Sequence, residues 1–273
     1  RPIIYKMIDF YYSKNIDDQI KLGSTFIEEL RNILNPENYE LFLKNIIDFV
    51  DTIIEIQNDK EKVAPLQYLL GRIYLIKKFQ NIDKSIEHLE KAANQQYTEA
   101  QYLLGLIYVS FKNNIDLAIN YFKVAADKGH SNSQFFVGIY YVKFYICQFY
   151  INLFDKIPFT SIYYDLDFKT TIKSVIYYEK EIDNQKGDSY LTSASNANNM
   201  NAIIILIYVL LADPYVVNNQ HKAFYFLNHA VNNLKNSTAQ CLMGQYYMNG
   251  DYVIDKCIQK DESLAEHYLK LSA

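Results

Sequence analysis

The sequence predicts an all-α protein, a right-handed superhelical solenoid of antiparallel helix pairs. Three observations predict it. A nine-residue phrase recurs: Leu66-Gln67-Tyr68-Leu69-Leu70-Gly71-Arg72-Ile73-Tyr74 is matched by the stretches 100–108, 133–141 and 239–247. Its glycines Gly71, Gly105 and Gly138 stand 34 and 33 residues apart, and Gly244 anchors the last copy; a fixed period of that size marks stacked helical repeats. A second phrase follows each anchor, with paired small residues at its end. Finally, the 273 residues include only 8 Gly and 5 Pro, too few for a fold built on many tight turns.

Residues 1–60 are helical but off the pattern, either degenerate repeats or an N-terminal cap. Asn15-Ile16-Asp17 has the form of a helix start, and Leu22, Phe26, Ile27 and Leu30 continue an apolar face. Pro36-Glu37 opens another helix, in which Leu41, Ile46, Phe49, Ile53 and Ile56 are apolar.

The repeat array spans 61–273. In its clearest copy Ala100, Leu103, Leu104, Ile107 and Tyr108 fall at helical spacing on one face, as do Ala118, Tyr121, Phe122, Ala125 and Ala126. Asn114 or Asp116 caps the second helix, as Asn81 or Asp83 does one repeat earlier. Gly129 stands where a helix ends in a left-handed residue. Glu87 and Lys91 are spaced to pair.

The third copy departs from this grammar. Its second helix is expected near Lys173-Ser174, after an aromatic insertion at about 143–168 that holds Phe144, Tyr145, Phe149, Tyr150, Phe154, Phe159, Tyr163 and Tyr164. A polar loop is expected at about 184–199. A weaker fourth copy follows, with Ile205 in place of the glycine, then Ala223, Phe226-Leu227 and Ala230-Val231.

Glycine inside a helix costs about 1 kcal/mol relative to alanine. Its recurrence at 71, 105, 138 and 244 therefore implies close approach of a partner helix. Ala92, Ala93, Ala125 and Ala126 are expected to do the same for the next repeat, while Tyr74, Tyr108, Tyr141 and Tyr247 fill the space between helices.

The Ala-Gln-x-x-x-Gly-x-x-Tyr half at 100–108 and the Ala-x-x-Tyr-Phe-x-x-Ala-Ala-x-x-Gly half at 118–129 resemble the Sel-one-like repeat family, a relative of the tetratricopeptide repeat. The resemblance covers roughly 61–273. It implies a non-enzymatic scaffold or adaptor that binds other proteins. Within the family this includes a subunit of a ubiquitin-ligase quality-control complex. The alternative is a regulatory or activator module attached to an enzyme outside this chain, or an enzyme itself. Bacterial members once assigned antibiotic-hydrolysing activity carry one disulfide per repeat, which Cys147, Cys241 and Cys257 do not supply.

Chemistry is sparse. His88, His130, His221, His229 and His267 form no HExxH, and none lies at ligand spacing from a cysteine. His88 occupies the slot of Tyr121 and reads as a packed residue. Cys241 takes the slot of Tyr68 and Tyr102 and reads as core. No phosphate-binding glycine loop and no GxSxG occurs. We therefore expect no catalytic, cofactor or metal site. Net charge is −4 with no basic patch, which argues against nucleic acid. The 11-residue apolar run from Ala202 to Ala212 is too short to span a bilayer. Three scattered cysteines favour a reducing compartment such as the cytoplasm, with the endoplasmic-reticulum lumen left open. The 26 tyrosines and many asparagines read as codon bias of an AT-rich genome, and the sequon Asn236-Ser237-Thr238 as a chance match.

Because the aromatic insertion alone breaks the period, Phe149, Tyr150 and Phe154 are the expected partner-binding residues; large aromatics anchor interfaces. The fallback is the helix face around Gln67, Gln101 and Gln134.

Overall fold

The computed structural model describes residues 36–56, 60–76, 80–142, 168–178, 182–211, 217–249 and 260–272. Among them are twelve helices and no strand. The helices are α1 (Pro36–Ile56), α2 (Lys60–Ile73), α3 (Ile82–Asn94), α4 (Thr98–Ser110), α5 (Ile115–Asp127), α6 (Ser131–Tyr141), α7 (Phe168–Tyr177), α8 (Asn184–Asn196), α9 (Met200–Leu211), α10 (Val217–Asn232), α11 (Ser237–Asn249) and α12 (Glu262–Ser272). The all-α class read from the sequence is what the structure shows. The chain falls into two compact units, 1–124 with 163–167 and 125–162 with 168–273, divided inside α5.

In the first unit α1 packs on α2. Tyr39, Leu43, Ile46, Ile47 and Val50 form one cluster with Leu66, Leu69, Leu70 and Ile73. The apolar stripe anticipated on α1 divides: Ile46 is core, but Leu41 is 58% and Ile56 68% exposed, and Phe49 is also exposed. The inward face is set by Tyr39, Leu43, Ile46, Ile47 and Val50, spaced three and four apart; Leu41 lies off that face, and Ile56 lies beyond its last buried residue.

The repeat itself is a hairpin with a fixed closure. The Asn81 N–H donates to the Tyr74 carbonyl at 2.8 Å, and Asn114 repeats this on Tyr108 at 2.9 Å. Each asparagine then caps the following helix: its side-chain oxygen accepts from the N–H of Lys84 or Leu117. Asn81 and Asn114 are thus the caps, while Asp83 and Asp116 lie in the first helical turn. Between pairs, Gln96 adopts φ 65° and the Tyr97 N–H returns to the Ala92 carbonyl at 3.2 Å. This left-handed stop releases the chain into the next helix.

The second unit reuses both devices. Gly129 has φ 87°, as expected, and Asn198 and Lys235 stand in the same place with φ 60° and 48°. The following residues, His130, Asn199 and Asn236, return their N–H groups to Ala125, Ala194 and Ala230. Each also caps the next helix with a side-chain acceptor, for the N–H of Ser133, Ala202 or Ala239. Asn236 of the sequon therefore has a structural task.

The third pair corrects two expectations. The stretch 184–199 is not a polar loop; it is mostly α8, capped by Asp183 through Lys186 N–H at 2.9 Å. Nor does the second helix of the pair lie at Lys173-Ser174. The Asp183 N–H donates to the Tyr141 carbonyl at 3.1 Å, so α6 pairs with α8. The physical reason is that α8 buries Leu191 together with the small residues Gly187, Ala194 and Ser195, and leaves most of its polar residues exposed. Lys173-Ser174 belongs to α7, an extra helix held on α6, with Thr171, Ile172, Val175 and Ile176 buried. The fourth pair, α9 with α10, buries 202–207 without an interrupting residue. The fifth, α11 with α12, closes again by Asp261 N–H to the Tyr247 carbonyl at 2.9 Å.

Candidate interaction surface

Most of the residues that define the repeat point inward. A Cβ on Gly105 would run into the Phe122 ring; one on Gly71 would lie 2.5 Å from Leu89 Cγ, on Gly138 2.7 Å from Leu191 Cγ, on Gly244 2.8 Å from Leu269 Cγ. Such separations are too short for carbon atoms, so the glycines fix how near the second helix sits. Ala92, Ala93, Ala125 and Ala126 are all buried. The carbonyls of Ala93 and Ala126 accept the side-chain amides of Gln101 and Gln134 from the next pair, each at 3.3 Å. Gln67 meets His88 at 2.7 Å. These three glutamines therefore do not themselves present a binding surface: Gln67 and Gln101 are buried, Gln134 half-buried, and their amides hold neighbouring helices together.

Stacked rings close the mouth of three hairpins. Tyr108 lies on Tyr121 at 5.6 Å and Tyr247 on Tyr268 at 5.7 Å, both nearly parallel; His88 takes the tyrosine slot on Tyr74 at 5.5 Å. In the third pair Lys186 covers Tyr141 at 4.6 Å. The hydroxyls of Tyr108 and Tyr121 both donate to Glu90 of the preceding pair, at 3.3 and 3.4 Å. Tyr190 donates to Asp127 at 3.0 Å. Burial, then the nearby carboxylate, pushes Tyr121 and Tyr190 up to about 12. These half-buried tyrosines are clamps between pairs.

Phe149, Tyr150 and Phe154 lie outside the described residues, as do Cys147 and Cys257. Cys241 is a free thiol, half-buried where Tyr68 and Tyr102 are fully buried. Among the described residues no group of three His, Cys, Asp or Glu side chains could hold a metal ion. No helix among them is long and apolar enough to cross a membrane.

The sequence pattern did not single out the exposed apolar side chains. Met248 follows Tyr247 as Leu75, Val109 and Val142 follow their tyrosines. Those three are buried, whereas Met248 is 47% exposed. With Ala265 and Leu269 it floors an open groove of about 540 Å³, rimmed by Lys260, Glu262, Glu266 and Lys270. Comparing the residue after each tyrosine across the copies is the signal that reveals it.

Comparison with known proteins agrees with this geometry. The Sel1 repeat model matches residues 64–97, 98–130 and 237–273. Among solved structures the chain resembles c5321, a protective antigen of uropathogenic Escherichia coli strains displaying an SLR fold, at 15% identity and a TM-score of 0.54. The likeness covers 93% of this chain and 49% of that one, so this chain spans about half the length of that relative. At such identity it shows the fold alone. A Sel1 repeat protein from Oxalobacter formigenes matches at 18% identity over 92% of this chain and 96% of that one, with a TM-score of 0.36. No curated protein matches.

Proposed function

Because the chain carries the Sel1 repeat at three places, we propose that it is a non-enzymatic scaffold or adaptor whose helical-repeat surface binds other proteins. Sel1 repeats generally mediate protein–protein interaction. The observation that carries the reading is the fate of the motif residues. Glycines, alanines and most of the glutamines and tyrosines are committed to joining helices. What each pair leaves at its surface is variable, and that variable surface is where a repeat protein acquires its binding specificity.

Phe149, Tyr150 and Phe154 remain the proposed anchors, since aromatics bury much area while freezing few torsions. The test replaces all three with Ser and follows thermal stability beside quantitative co-purification from cells expressing the tagged chain. Near-parental stability with partners lost supports the reading. Stability and partners both retained removes the segment as an interface. The narrower assignment, a subunit of a ubiquitin-ligase quality-control complex, is supported by the family resemblance; co-purification of a ligase subunit in stoichiometric amount is its test, and its absence ends it.

A further inference from the structure

We propose that the first helix pair carries an acid-sensitive seam at His88, where protonation of one ring loosens the α2–α3 hairpin. Seven residues after the capping residue, the sister pairs place Tyr121, Tyr190 and Tyr268; the first pair places His88. The geometry of the slot is unchanged. His88 stacks on Tyr74 at 5.5 Å and 14°, as Tyr121 does on Tyr108 at 5.6 Å and 8°. A tyrosine there stays neutral throughout the physiological range, whereas an imidazole does not.

The neutral ring already makes the one hydrogen bond that the pocket offers it. His88 Nδ1 lies 2.7 Å from Gln67 Oε1, so Nδ1 carries the hydrogen and donates it in a hydrogen bond to the amide oxygen. Gln67 is buried and Tyr74 is 7% exposed. A second proton adds a full charge at Nε2 against this seam. The cation position over Tyr74 is already filled by Lys84, whose Nζ is 5.3 Å from the ring centre. The charged groups facing the ring are Asp51 from α1 and Lys84, Glu87 and Lys91 from α3. On α2, Arg72 lies over Tyr68 instead. Of the carboxylates that would favour a charged ring, Glu87 is already paired with Lys91 at 2.7 Å. Burial above all, then Lys91, holds His88 below its ordinary 6.5; Asp51 and Glu87 offset this in part.

The sign follows from linkage. The unfolded chain takes up a proton near pH 6.5, before the folded pair does. Stability is therefore full above that value and lost as pH falls through it toward the lower folded value. In the sister pairs no such loss arises from this slot.

The experiment compares thermal midpoints of the parent chain and His88→Tyr from pH 7.5 to 5.0. The parent is expected to lose more of its thermal midpoint than the variant across that range. Equal losses overturn the proposal. The ring is also titrated directly by NMR in the parent chain, which decides the matter if the variant fails to fold. A His88 midpoint below 6.5, with faster amide exchange in α2 and α3 at the acid end, supports the seam; a midpoint at or above 6.5 overturns it.

Discussion

The second and third helix pairs make the same closure from very different connections. In the second pair, Asn114 follows Tyr108 after a short turn and donates its N–H to that tyrosine's carbonyl. In the third, Asp183 does the same to Tyr141 across the whole insertion, which includes α7. Glycine meets a large side chain in both, Gly105 with Phe122 and Gly138 with Leu191. The difference teaches that the pair is specified by its two faces and one cap. The length of chain between its helices is free.

The largest expected effect tests whether α8 is a full member of the repeat. Leu191 is completely buried against Gly138. Leu191→Ala should cost about 2–5 kcal/mol, as should Leu89→Ala in the first pair. A chemical-denaturation midpoint unchanged at Leu191 alone would return 184–199 to the status of a loop.

Next in size is the glycine contact. Gly105→Leu should destabilise by roughly 1–3 kcal/mol through overpacking against the Phe122 ring, and Gly138→Leu by a similar amount. Calorimetry that finds either variant as stable as the parent would show that its pair is looser than the geometry states.

How much of this was legible in the sequence depends on what each element buries. The four anchor glycines could be read directly, because large apolar residues surround them at helical spacing, and the caps only to within the choices Asn81 or Asp83 and Asn114 or Asp116. The helix α8 could not. Apart from Leu191 its buried stripe is Gly187, Ala194 and Ser195, small side chains that carry almost no hydrophobic signal, and its exposed positions are polar. It owes its helical state to the partner it packs on, which local propensity does not record. On α1 the opposite failure occurs: apolar residues lie on several faces, so the pattern could not say that Leu41 and Ile56 face solvent while Leu43 and Val50 do not. The partner-binding residues proposed from aromatic content fall outside the described residues.

The caps should show a smaller effect. Asp183→Ala and Asn114→Ala each remove the acceptor for a helix N–H, worth about 1 kcal/mol. Equal losses in the two variants would confirm that the long connection and the short one end in the same device. A loss at Asn114 alone would break the comparison.

The smallest effect is electrostatic. Tyr121, pushed up to about 12 first by burial and then by Glu90, ionises more readily in the unfolded chain than in the folded one. Its contribution to stability is thus present at neutral pH and fades as pH rises from the ordinary tyrosine value toward 12. Tyrosinate absorbance in a Glu90→Gln variant should show this group titrating earlier than in the parent. An identical titration would mean that burial alone sets the value.

The closure by Asp183 also bears on how such a chain acquires new parts. The entropy of bringing two chain ends together grows only with the logarithm of the segment between them, by about 0.6 kcal/mol for each doubling. Stretching the turn from Tyr108–Asn114 proportions to Tyr141–Asp183 proportions therefore costs on the order of 2 kcal/mol, and burial of Ile172 and Val175 on α6 works against that loss. A hairpin mouth with this tolerance is a splice point. Sequence inserted between a tyrosine and its capping residue can drift, lengthen and be selected for some new contact while the helices on either side keep their register.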